Sequence, residues 1–232
     1  MIFEEVHKKI LNALEDQDLR NGSHIGTKFE IINRREAIKR HPYIEEWANE
    51  TRKNKEYAIE NIDDLILKFK ENFEKNGGHF HYAKNGDEMK NIVIKIIDEG
   101  KTVVKSKSLV GEEIELRQFL EGKGIKVYET DLGEFLVQLT NGKPAHMVTP
   151  AVNMTEGRAK SVLEKNLKVE LGDVTSMVLA VRKFMREKFL FADVGMVGAN
   201  ALSAETGSVV FVTNEGNGAL TSTIPKKLIV IT

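Results

Sequence analysis

The chain has no cysteine among its 232 residues. That excludes thiol nucleophiles, disulfides, cysteine-ligated iron–sulfur clusters and zinc–thiolate sites from this chain. Net charge is also scarce: 34 basic side chains against 35 acidic ones leave a formal charge of -1. No bulk asymmetry therefore points to nucleic acid or to an anionic lipid surface. No apolar run reaches the roughly 20 residues needed to span a bilayer as a helix. The N-terminus, MIFEEVHKKILNALEDQ, is charged and amphipathic. It does not read as a secretory signal, so a cytoplasmic location is the expectation. No G-x-G-x-x-G follows a strand, and no G-x-x-x-x-G-K precedes Ser or Thr, so the common nucleotide-phosphate loops are missing. There is no aromatic stripe interleaved with Lys or Arg of the kind that forms a nucleic-acid platform. Internal repeats and low-complexity segments are absent too.

What is present is a composition of 41% hydrophobic and 30% charged residues, which fits a soluble globular protein. The length suits one α/β domain with a helical extension. The organising stretch runs from Ala192 to Thr232, where three apolar runs are separated by turns rich in glycine and hydroxyls. Val- and Ile-rich runs of this kind read as strands buried on at least one face. The turns carry Asn200, Glu205, Thr206, Ser208, Asn214, Glu215 and Asn217, with glycines at 195, 198, 207, 216 and 218.

The rest of the chain falls into two parts. Residues 1–77 read as a helical N-terminal extension. Phe3, Val6, Ile10 and Leu14 form one stripe of a first helix. A charged segment over 28–53 has Trp47 near its middle. A helix over 56–76 carries Ile62, Ile66, Phe69 and Phe73 and stops at Gly77 and Gly78. Residues 78–232 read as the α/β domain, its strands expected at HFHYA, TVVKS, IKVYET and HMVTP. Between and after them the pattern predicts five helices: one capped by Asp87 and closed by Gly100, one over 111–122, a short one on Leu132, Phe135, Leu136 and Leu139, one from Thr155, and one over 174–190 behind Asp173. Strands alternating with helices argue for a Rossmann-like, mostly parallel sheet with a mixed C-terminal portion.

Ligands of open α/β sheets sit beyond the carboxyl ends of the strands, which selects particular turns. Lys105, Ser106, Lys107 and Ser108, followed by Glu112 and Glu113 at a helix start, have the make-up of an anion site. They equally suit a solvated turn with a Ser cap and acidic first-turn residues. Glu129 and Asp131, with Glu134 following, share a face if the strand persists that far; such paired carboxylates could shift each other's pKa as acid and base, or cap the next helix. His79 and His81 share a face if HFHYA is a strand, but no third metal ligand is defined.

Four segments give the chain a family likeness: GGHFHYAK at 77–84, VVKSKSLVGEEIEL at 103–116, YETDLGEFLVQL at 128–139, and the stretch 186–225, which holds the runs G-A-N, A-E-T-G-S and N-E-G-N in that order. On these the chain resembles the LUD (lactate utilisation) domain, and most closely the lactate-utilisation B type. The resemblance implies an α/β fold similar to the NagB/RpiA/CoA-transferase superfamily. It implies a component of a multi-subunit system that oxidises L-lactate to pyruvate, with other lactate-utilisation subunits as partners. Proteins of the B type usually carry a ferredoxin-like, cysteine-rich region. This sequence stops at Thr232 without one, so it is expected to be an excised domain or a stand-alone member. The 4Fe-4S clusters of the system are then expected in that missing region or in partner subunits. The superfamily's CoA transferases use a glutamate in a short turn as acyl acceptor, and Ala204-Glu205-Thr206-Gly207-Ser208 is similar in shape. Glu205 is thus the candidate catalytic residue, acting through an acyl anhydride and then a thioester. The candidate ligand rim is Lys105, Lys107, Glu113, Asp131, Asn200, Thr206, Ser208, Glu215 and Asn217, for a small organic acid or an anionic cofactor. The non-catalytic alternative is an assembly module of the lactate-oxidising complex.

Overall fold

Residues 2–97, 101–213 and 215–232 are described in the computed structural model. Gly100, expected to close a helix, and Asn214, expected in a turn, lie outside the described residues. The first helices are α1 (Ile2–Glu15), α2 (Gln17–Arg40), α3 (Ile44–Glu60), α4 (Ile62–Lys75) and α5 (Gly86–Ile96). Strand β1 (Thr102–Lys105) follows, then α6 (Leu109–Glu113), α7 (Leu116–Gly122) and β2 (Lys126–Glu129). Helices α8 (Leu132–Leu139), α9 (Glu156–Leu167) and α10 (Val174–Phe191) precede β3 (Val194–Gly198). The hairpin β4 (Ala201–Ser203) and β5 (Ser208–Val210), helix α11 (Asn217–Thr223) and β6 (Lys227–Ile231) complete the described elements. No helix among the described residues is long and apolar enough to cross a membrane.

The fold is α/β, with a helical N-terminal region. The main sheet is parallel, in the order β2-β1-β3-β6, and β4-β5 form a small antiparallel pair. TVVK and KVYE become neighbours because each puts valines into the interior. Val103 pairs with Val127 across the ladder, and Lys105 with Glu129. Val103, Leu116, Leu120, Val127, Val194, Met196 and Ile229 belong to one apolar cluster. Each such side chain, fully buried, contributes roughly 1.5–3 kcal/mol. By Cα proximity the chain gathers into two units, Met1–Arg52 with Leu132–Val181, and Lys53–Asp131 with Arg182–Thr232. The parallel sheet belongs to the second.

Two expected strands do not form. HFHYA at 79–83 is irregular chain. Its Phe80 instead packs edge-on against Phe69 of α4, ring centroids 6.2 Å apart. HMVTP at 146–150 is a series of bends and turns. There the His146 ring nitrogen Nδ1 accepts the N–H groups of Val148 and Thr149, each at 3.2 Å. Local side-chain bonds of this kind compete with a strand ladder. The helix expected over 111–122 is split into α6 and α7 by Glu115, whose φ of 51° is left-handed. The cap of α5 is Asn85, not Asp87: the Asn85 side chain accepts the N–H of Glu88. Asp87 falls in the first turn, where its charge suits the helix dipole. Thr155 does cap α9, accepting the N–H of Arg158. It also bonds the Asp18 carboxylate.

Asp193 joins α10 to β3 and ties down the start of β1. Its carboxylate accepts the Thr102 N–H at 2.8 Å and meets the Lys101 ammonium at 3.2 Å. The Thr102 bond, with Lys101 adding to it against a push from burial, holds the carboxyl below its ordinary value of 3.8. A depressed carboxylate pKa stabilises the fold above the unfolded value, and the effect is lost as pH falls through the folded one. Asp193→Asn should therefore lower stability at neutral pH by up to about 1 kcal/mol, since the pair is partly solvated. The difference from the parent should shrink to nothing once pH is well below 3.8, as urea unfolding across the acid range would record.

Candidate functional site

The carboxyl ends of β1 and β2 carry opposite charges side by side. Lys105 ends β1, Glu129 ends β2, and the parallel register places them as partners. The Lys105 ammonium lies 3.0 Å from Glu129 Oε2 and 3.1 Å from Glu112 Oε1 on α6. Arg117 on α7 approaches the other Glu129 oxygen at 3.7 Å and pairs with Glu121 at 3.0 Å. Lys105 is wholly buried, and Glu129 and Arg117 are nearly so. Each charge removed from water costs several kcal/mol, offset only by close pairing. Gly111 makes room for the lysine stem, since a Cβ there would stand 3.3 Å from Lys105 Cε. Ser108 caps α6 by accepting the Gly111 N–H at 3.1 Å.

Beside this ion cluster lies a set of hydroxyls and an amide. The Thr130 N–H bonds the Lys105 carbonyl at 2.8 Å. The buried hydroxyls of Thr130 and Thr221 are 3.4 Å apart. Asn217, the first residue of α11, donates to Thr130 Oγ1 at 3.4 Å and accepts from Thr213 Oγ1 at 3.3 Å. Lys107 is half-buried. Its carbonyl passes close to Gly198, where a Cβ would stand 2.8 Å from it. Of the expected rim, then, Lys105, Lys107, Asp131 and Asn217 gather at the ends of the parallel strands. Glu113 is exposed at the end of α6, and Glu215 is exposed just ahead of α11.

Glu205, Thr206 and Ser208 are placed differently. They form the exposed tip of the β4–β5 hairpin, and the tip rests on α4. The Asn72 side chain donates to the carbonyls of Ala204 and Glu205 at 2.9 and 3.0 Å. Asn76 donates to the Thr206 carbonyl at 2.9 Å. Gly207 has φ of 65°, and a Cβ there would overlap the backbone of Asn72 and Phe73. Only glycine meets both demands at low cost. Asn200 closes the hairpin base, its side chain accepting the Val212 N–H at 2.7 Å. The turn is thus held through its backbone, while the Glu205 side chain is exposed. Asn72 and Asn76 escaped the sequence reading. Their spacing of four marks one helix face, but nothing local reveals a turn some 130 residues away.

His79 and His81 lie in the irregular chain before α5. Among the described residues no group of three His, Cys, Asp or Glu side chains could hold a metal ion. A hollow of about 600 Å³ is lined by Ile10, Leu14, Leu19, Arg20 and His24 of α1 and α2, of which only Ile10 and Leu14 stand out in the sequence, as part of the apolar stripe of α1.

The LUD domain family model matches residues 66–232. Lactate utilization protein B of Bacillus subtilis is 37% identical over 221 residues, 93% of this chain and 46% of that protein. The uncharacterized electron transport protein YkgF of Escherichia coli is 33% identical over 226 residues, 96% of this chain and 48% of its own. Lactate utilization protein B of Bacillus licheniformis is 34% identical over 228 residues, 97% of this chain and 48% of that protein. The chain thus spans about half the length of the curated relatives it matches. No solved structure matches it.

Proposed function

Because the chain belongs to the LUD domain family, we propose that it serves lactate utilisation, as one component of a multi-subunit system that oxidises L-lactate. The observation that carries this reading is the extent of the likeness. The relatives named lactate utilization protein B align with 93% and 97% of the chain, well beyond the matched domain and into the N-terminal helices. The chain's own residues do not fit an iron–sulfur cluster, for there is no thiolate to hold one. Electron transfer through such clusters would belong to partner subunits or to residues outside this chain.

Within that system the domain binds a small organic acid or an anionic cofactor at the carboxyl edge of the parallel sheet, the place where open α/β sheets take ligands. Lys105 braces the strand ends against Glu129 and Glu112. Lys107 supplies the positive charge that meets the anion, and Asn217 with the Thr130 hydroxyl orients it. Deleting the coding sequence should abolish growth on L-lactate as sole carbon source and spare growth on pyruvate. Undiminished growth on L-lactate would contradict the reading.

A further inference from the structure

The corner between α2 and α3 exposes an aromatic ladder. The rings of His41 and Tyr43 are 5.4 Å apart between centroids, and those of Tyr43 and Trp47 are 4.5 Å apart. The Tyr43 hydroxyl meets His41 Nδ1 at 3.0 Å, which fixes the first step of the ladder. Tyr43 nevertheless stays 44% exposed and Trp47 59%. Directly before the ladder, the last two turns of α2 carry Arg34, Arg35, Lys39 and Arg40, all exposed. The carboxylate on those turns, Glu36, pairs with Lys39 at 2.8 Å. The whole chain is close to neutral, so this basic cluster is a local concentration of charge.

Basic residues in a last turn suit the helix dipole, which accounts for Lys39 and Arg40. It does not account for two large aromatic rings left in water beside them. Exposed Trp, Tyr and Arg are the residue types that dominate binding energy at protein interfaces. Rings already held against one another lose little freedom on docking, which lowers the cost of association.

We propose that the α2–α3 corner docks an acidic protein surface. An apolar side chain of the partner seats against Tyr43 and Trp47, and flanking carboxylates meet Arg34, Arg35 and Arg40. Nucleic acid fits less well. Glu45, Glu46 and Glu50 stand on the same turns of α3 as Trp47, and a continuous phosphate backbone would meet them as like charges. A partner with a confined acidic patch avoids them. This inference does not depend on the anion site at the sheet edge.

Trp47 is the only tryptophan of the chain, so its fluorescence reports on this corner alone. The probe is a synthetic amphipathic peptide with glutamates flanking a leucine anchor, titrated into the full chain. Trp47 emission should shift to the blue and its quenching by acrylamide should fall about twofold as the ring is covered. Affinity should drop at least roughly tenfold in high salt, where screening shortens to about 3 Å. The double variant Arg35→Glu/Arg40→Glu should lose a similar factor, since both positions are exposed and circular dichroism should confirm an unchanged fold. No shift with the acidic peptide, or an equal shift with its lysine counterpart, would overturn the proposal. So would a stronger response to a single-stranded oligonucleotide, which would assign the corner to nucleic acid. A concentration-dependent shift of the chain alone would assign it to a second copy instead.

Discussion

Lys105→Met should lower the free energy of unfolding by about 3–5 kcal/mol, the range for breaking one side of a buried ion pair. The variant keeps the apolar stem that packs beside Gly111 but removes the ammonium lying 3.0 Å from Glu129 and 3.1 Å from Glu112. Glu112 is 19% exposed and can turn toward water, whereas Glu129 at 2% cannot. The damage should therefore concentrate on Glu129. Adding Glu129→Leu should recover most of the loss, because a buried pair replaced by apolar residues of similar volume is often neutral or better. Urea unfolding of the two variants gives both numbers from the midpoints, provided the slopes agree. A single variant within 1 kcal/mol of the parent would mean that the cluster is solvated and weak, as exposed pairs are.

Gly195→Ala should be almost as damaging, at about 3 kcal/mol or more, the upper end for overpacking a core. Gly195 sits inside β3, between β1 and β6. A Cβ there would overlap the Thr221 carbonyl of α11 and stand 3.3 Å from Pro225 Cγ. Backbone cannot swing aside as a flexible side chain can. Helix α11 would have to lift, carrying with it the buried Thr221 hydroxyl and Asn217. Ligand binding at the strand ends should therefore weaken together with stability. Gly157→Ala is the matching control. On α9 its Cβ would meet nothing within 4 Å. Alanine in a helix should there raise stability by up to about 1 kcal/mol.

These two glycine positions show what a sequence reveals and what it hides. Gly195 is visible as a glycine inside an apolar run, and such a residue often marks a close approach of backbone. That the approaching backbone is Thr221 depends on α11, a short helix whose residues read as a polar turn. TVVK and KVYE are legible as strands because β-branched and aromatic residues recur in short runs between helical patterns. HFHYA and HMVTP carry the same alternation over five residues, too short to outweigh Phe80 packing on Phe69 or the His146-centred bonds. The position of Lys105 at a strand end was legible as well. Its burial was not, since that follows from a register pairing it with Glu129, 24 residues later. Likewise, the turn around Glu205 reads as a motif of charge and glycine. Only the fold reveals that Asn72 and Asn76 grip its backbone and leave the side chain exposed.

The measurement that bears most directly on the account is thermal unfolding of the parent chain with lactate, pyruvate, phosphate and CoA. It is repeated for Lys107→Ala, Asn217→Ala and Glu205→Gln. At least one anion should stabilise the parent saturably, by about 2.7 kcal/mol at a hundredfold excess over Kd. The shift should collapse in Lys107→Ala and weaken in Asn217→Ala. Glu205→Gln should fold within about 0.5 kcal/mol of the parent, as an exposed substitution does, and keep the shift. A panel in which no anion stabilises the chain would contradict the account. So would a shift that survives both Lys107→Ala and Asn217→Ala and disappears in Glu205→Gln, because the ligand would then sit on the hairpin tip and not at the ends of the parallel strands.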